Sequence, residues 1–100
     1  MEEWTRDDWE STKKNATLAA FYLYTPLCGT CQVAGKMMDV VNELTKEVPI
    51  GKANLNYMED LALDYEIESV PCLLISQNGE IRDKIYAFQS VPYLYEKLTK

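Results

Sequence analysis

Residues 28–31 read Cys-Gly-Thr-Cys, and one further cysteine follows at Cys72. Two thiols with two residues between them can close into a disulfide and reopen, or can supply half of a metal site. The chain has no histidine. That removes every Cys-His and Ser-His nucleophile pair and every His-ligated metal centre. A zinc site takes about four ligands, and Cys72 is the sole thiolate left to add, so no metal is expected. A cluster shared between two chains, each giving one Cys-x-x-Cys, would meet the ligand count. Two inert buried thiols are the remaining alternative to a redox couple.

The surroundings of the pair favour the redox reading. Leu18 to Tyr24 is an apolar, aromatic-rich run bounded by Asn15 and Thr25-Pro26, which reads as a buried central strand. After the short Thr25-Pro26-Leu27 loop the apolar period becomes helical from Gly29 onward. Cys28 therefore falls at a helix N-cap, where free backbone N–H groups and the positive end of the helix dipole favour a thiolate. Its acidity is expected to exceed that of a free thiol, whose pKa is about 8.5. Cys31 lies one turn further on, tucked into the helix. Cys28 is thus the expected nucleophile on a substrate disulfide, and Cys31 the thiol that resolves the mixed disulfide. Gly29 leaves room for a substrate backbone, and Thr30 is small.

The elements that must hold this pair follow from spacing. Thr5 and Asp8 form a capping-box pattern with Trp4 and Trp9 as apolar anchors, predicting a helix at 6–14. Val33, Met37, Val40, Val41, Leu44 and Val48 recur at steps of three and four, predicting a long helix over 29–46 with that set as its core face. The Met37-Met38 pair is expected to pack in the core. Residues 50–55 form a second strand. Asn56 with Glu59 starts a short helix, with Leu61, Ala62 and Tyr65 inward. Residues 72–76 and 81–86 are two strands around an Asn78-Gly79 hairpin turn. Ser90 caps a last helix carrying Pro92 in its first turn. Strands joined through helices pair in parallel by right-handed crossovers. The prediction is an α/β fold: one mixed sheet of four or five strands, with helices on both faces.

Composition bounds the function. One hundred residues, 47% apolar and 26% charged, make one globular domain over 1–100. The net charge of −6 disfavours nucleic acid and anionic membrane as partners. The longest apolar run, Leu18 to Leu23, is too short to span a bilayer. Met1-Glu2-Glu3-Trp4 is acidic and lacks the apolar core of a secretory signal, so a cytosolic, monomeric protein is expected. In a reducing cytosol the cysteines are not a structural framework. Glu59, Asp60, Asp64, Glu66 and Glu68 read as a solvated acidic face.

These residues resemble the thioredoxin family over nearly the whole chain. The likeness is carried by Ala20-Phe21-Tyr22-Leu23-Tyr24 running into Cys28-Gly29-Thr30-Cys31, by Lys52-Ala53-Asn54-Leu55-Asn56, by Tyr65-Glu66-Ile67-Glu68-Ser69-Val70-Pro71 with Leu73-Leu74 after it, and by Asn78-Gly79-Glu80. The resemblance implies a thioredoxin-like fold and a thiol–disulfide oxidoreductase that reduces protein disulfides without any cofactor beyond Cys28–Cys31. It implies a cis Pro71 facing the pair, a Val70 backbone that docks the substrate strand, and substrate contacts at Leu27, Gly29 and Thr30. It implies recharging by a thioredoxin reductase-like enzyme or a low-molecular-weight thiol. A non-catalytic binding or scaffold module on the same fold is the alternative.

The chain also departs from the family pattern. Leu27 replaces a tryptophan, and Thr30 a proline. Tyr22 stands where the family carries a buried carboxylate that assists the resolving thiol, while the lysine companion is kept as Lys52. Lys36, beside Gly35, replaces a helix-kinking proline, and Ala87 replaces a glycine near the groove. The first edge strand is shortened to residues 1–4 or lost. Cys72, next to Pro71, is expected to be a small core residue lying near Cys31.

Overall fold

Thr5 Oγ1 accepts from the Asp8 backbone N–H at 3.1 Å, and the Asp8 carboxylate accepts from the Thr5 N–H at 2.9 Å. This reciprocal cap opens α1, Arg6–Asn15, in the computed structural model, which describes residues 1–99. Around α1 the chain runs β1 (Glu2–Glu3), β2 (Leu18–Tyr24), α2 (Gly29–Leu44), β3 (Ile50–Asn54), a 3-10 turn (Leu55–Tyr57), α3 (Glu59–Asp64), β4 (Cys72–Gln77), β5 (Glu80–Ile85) and α4 (Val91–Thr99). The five strands form one sheet in the order β1-β3-β2-β4-β5. β1 and β2 pair with β3 in parallel; β4 pairs antiparallel with β2 and with β5. The expected mixed sheet is present, and the shortened first strand survives as a two-residue edge.

Strand alternation sends side chains to two cores. On one face Tyr22, Leu73, Ile75 and Ile85 pack under α2 and α4, against Met38, Val41, Leu94 and Leu98. On the other, Phe21, Leu23, Cys72 and Leu74 pack under α1 and α3, against Trp9 and Leu61. Burying a side chain as large as Phe21 stabilises the fold by roughly 1.5–3 kcal/mol. Trp9 stacks on Phe21 with ring centroids 5.1 Å apart, and Trp4 lies 6.4 Å from Trp9. Gly51 sits directly beneath Trp4, and a Cβ there would run into the indole ring. Tyr65 ties α1 to the end of α3: its hydroxyl donates to Glu10 at 2.7 Å and accepts from Lys13 at 2.7 Å. Arg6 pairs with Asp64 of the acidic face at 2.7 Å.

The facing of α2 differs from the sequence expectation. Cys31, Ala34, Met38 and Val41 are its buried residues. Val33, Val40 and Leu44 are exposed. The two sets have the same helical period and differ only by rotation about the axis. The small side chain of Ala34 lets the helix settle on the sheet along the first stripe, leaving the second as an apolar flank in solvent. The helix also ends at Leu44, two residues before the expected limit, with Thr45 buried and its hydroxyl bonded to the Val41 carbonyl at 2.8 Å. β3 ends at Asn54, whose side chain accepts from the Asn56 N–H at 3.0 Å. Asn54 therefore caps the 3-10 turn that Leu55 opens on leaving the strand, whereas α3 starts only at Glu59, after Met58 and without a side-chain cap, so the expected Asn56 cap of that helix does not form. In the hairpin both Asn78 and Gly79 have positive φ, as a tight two-residue turn requires.

Candidate active site

β2 delivers the chain from the sheet centre to the loop Thr25–Leu27, and α2 starts immediately after Cys28. Cys28 is the N-cap of α2, with extended backbone angles, and its Sγ accepts from the Cys31 N–H at 3.1 Å. The sulfur thus takes one of the free N–H groups at the helix start, an arrangement that stabilises negative charge on it when reduced. Cys28 and Cys31 are joined as a disulfide, with Cα atoms 5.2 Å apart. Cys28 is half-buried, whereas Cys31 is only 4% exposed.

β4 brings the second half of the site. The Val70–Pro71 peptide is cis. The Val70 carbonyl oxygen lies 3.9 Å from the Cys28 Sγ, and Thr30 Oγ1 lies 3.3 Å from it. Leu27 is wholly exposed beside the pair, and Gly29 and Thr30 are exposed too. A Cβ at Gly29 would touch nothing within 4 Å, so this glycine leaves space in front of the disulfide rather than relieving a clash. Thr30, Val33, Met37, Pro71, Tyr86 and Phe88 line an apolar groove of about 390 Å³ alongside. Leu27, Cys28, Gly29, Thr30, Val70 and Pro71 therefore lie around one surface.

Cys72 does not join them. Strand parity turns its side chain to the α1/α3 face with Leu74, away from α2, so it does not share the Cys31 environment. It is fully buried, and burial pushes its thiol up to about 12 despite the opposing influence of Lys84 and Tyr86.

Behind the pair stands Tyr22. Its hydroxyl donates to the Cys31 carbonyl oxygen at 2.5 Å. Its ring stacks on Tyr24 and meets Phe88 edge-on, each at 5.8 Å. Burial, reinforced by Tyr24 and Asp39, pushes the phenol up to about 12. Lys52 lies near it on β3, half-buried, with its Nζ 5.8 Å from the centre of the Tyr24 ring, and forms no ion pair among the described residues. The Tyr22–Cys31 bond has no signal in the sequence, because it joins a strand to a helix through a side chain of unremarkable apolar context.

The thioredoxin family model matches residues 1–100. The chain belongs to the thioredoxin family. It is 52% identical over 75 residues to the thioredoxin-like protein YusE of Bacillus subtilis, covering 75% of this chain and 71% of that protein. It is 32% identical over 74 residues to the mitochondrial thioredoxin of Bos taurus, covering 73% of this chain and 45% of that one. The fold superimposes on mitochondrial thioredoxin 3 of Saccharomyces cerevisiae in its oxidised form with a TM-score of 0.87, over 99% of this chain and 93% of that chain, at 16% identity. With its Cys28–Cys31 pair this thioredoxin-family chain is a thiol–disulfide oxidoreductase. Tyr22, the departure from the family pattern noted in the sequence, is bonded to the Cys31 carbonyl.

Proposed function

We propose that the protein reduces disulfides in other proteins, with Cys28 as the attacking thiolate and Cys31 as the resolving thiol. The observation that carries this reading is the asymmetry of the pair: the Cys28 sulfur sits at the helix N-cap accepting an N–H, while Cys31 is nearly enclosed. The Cys28 thiolate attacks one sulfur of the substrate disulfide, and the other substrate sulfur leaves as a thiolate. The Cys31 thiol loses its proton and attacks Cys28. The second substrate sulfur is released, and the Cys28–Cys31 disulfide remains. Two electrons pass from the pair to the substrate, so no separate cofactor is needed. A substrate segment lies along the Val70 backbone beside Pro71, with apolar side chains against Leu27 and the groove lined by Val33 and Phe88. An external dithiol enzyme or small thiol then restores the reduced pair in a reducing compartment such as the cytosol.

Turnover with dithiothreitol as the electron source tests this. The protein in catalytic amount is expected to speed reduction of a disulfide-bonded protein several-fold over dithiothreitol alone. A rate equal to that of dithiothreitol alone would instead favour a non-catalytic binding module.

A further inference from the structure

A resolving thiol must shed a proton before it attacks, and Tyr22 is unsuited to take it. The Tyr22 hydroxyl is a donor already committed to the Cys31 carbonyl. Cys31 nevertheless has an outlet. It lines a cavity of about 410 Å³ between β2, β3 and α2, shared with Tyr22, Gly35, Asp39 and Lys52. That volume admits several water molecules. Gly35 also lines it and puts no side chain into the space beside the Tyr22 hydroxyl, where a Cβ would stand in ordinary contact at 3.5 Å from the Tyr22 oxygen. Asp39 is the sole carboxylate among the residues lining it. It is exposed and forms no ion pair among the described residues.

We propose that Asp39 accepts the Cys31 proton, through water in this cavity, when the mixed disulfide is resolved. The proposal rests on the assignment of Cys31 as the resolving thiol. The Cys31 S–H gives its proton to a cavity water, and that water passes one to the Asp39 carboxylate. The Cys31 thiolate then attacks the Cys28 sulfur, the bond from Cys28 to the substrate sulfur breaks, and the substrate leaves as a thiolate. Asp39 returns the proton to solvent. It acts through water and is a positioning residue. Asp39 adds, after burial and Tyr24, to the raising of the Tyr22 phenol. The other charged or titratable groups facing the cavity are Lys36 on α2, Lys52 on β3, Tyr24 on β2, whose hydroxyl donates to Glu3 of β1 at 2.6 Å, and Met1 at the edge.

The charge of Asp39 makes the test decisive in sign. A bystander carboxylate beside a forming thiolate disfavours that thiolate, so its removal would speed resolution. Removal of a proton acceptor slows it. The reduced protein is mixed in stopped flow with an equimolar chromogenic aromatic disulfide, dithiobisnitrobenzoate. Attack by Cys28 releases the first coloured thiolate, and resolution by Cys31 the second. Asp39→Asn is expected to leave the first phase unchanged. It is expected to slow the second about tenfold near neutral pH, less than a general base in direct contact contributes. The deficit closes at alkaline pH, where hydroxide takes the proton instead. Asp39→Glu is expected to recover part of the neutral-pH rate. A second phase that is unchanged or faster in Asp39→Asn, or slowed equally at every pH, overturns the role of Asp39. Failure of the wild-type protein to give a first phase overturns the oxidoreductase assignment itself.

Discussion

Cys28→Ser is expected to leave no measurable disulfide reduction, whereas Cys31→Ser attacks a substrate once and stays bonded to it. The difference follows from where each sulfur sits. Cys28 holds the helix N-cap and faces the Val70 carbonyl, so its removal leaves the surface without a reachable thiolate. Cys72 cannot substitute: it is buried on the opposite face with its thiol held near 12. In Cys31→Ser the first exchange proceeds, because the Cys28 sulfur and its N-cap are untouched. Resolution then depends on an external thiol. Well-oriented intramolecular reactions have effective molarities of about 10⁵ M or more, so millimolar external thiol is expected to release substrate many orders of magnitude more slowly. Mass spectrometry of the reaction mixture under non-reducing conditions reads this directly. The mixed disulfide is expected at Cys28 in Cys31→Ser and at no position in Cys28→Ser.

Tyr22→Asp is expected to cost the most stability and, near neutral pH, to speed resolution. The ring fills space between Tyr24, Phe88 and α2, and truncating a buried aromatic side chain costs about 3–5 kcal/mol. The bond to the Cys31 carbonyl goes with it, leaving a buried acceptor short of a partner. The new carboxyl enters an apolar strand, where burial raises its pKa. Its folded-state pKa then lies above the unfolded value of about 3.9. The charge penalty is accordingly absent below about pH 4 and grows as the pH climbs through the folded-state value. The stability gap to the wild type, measured by urea unfolding, is expected to widen from about pH 4 to about pH 8. Resolution moves the other way, because a carboxylate close to Cys31 offers the proton a nearer acceptor than the cavity route. If the variant and the wild type give the same pH profile for resolution, Tyr22 is a packing residue only.

Much of this arrangement is legible in the sequence, and the parts that are not have specific causes. The apolar run of β2, the turn at Thr25–Leu27 and the change of period at Gly29 suffice to place Cys28 at a helix start. The facing of α2 is not legible. Apolar residues cover so wide an arc that Val33, Val40 and Leu44 fit the helical period as well as Ala34, Met38 and Val41 do. Only docking on the sheet separates them. The facing of Cys72 is hidden for a similar reason: residues 72–75 are apolar on both faces of β4, so alternation carries no signal. The cis peptide before Pro71 enters through the family resemblance and not through periodicity. The Tyr22 bond to Cys31 and the cavity reaching Asp39 depend on how α2 lies across β2, which no local pattern encodes.

Brief alkylation of the fully reduced protein with iodoacetamide near neutral pH, followed by peptide mass mapping, measures the asymmetry of the pair directly. The predicted order is Cys28 first, Cys31 far more slowly, and Cys72 only after unfolding. Label appearing at Cys31 before Cys28, or at Cys72 in the folded protein, would contradict it.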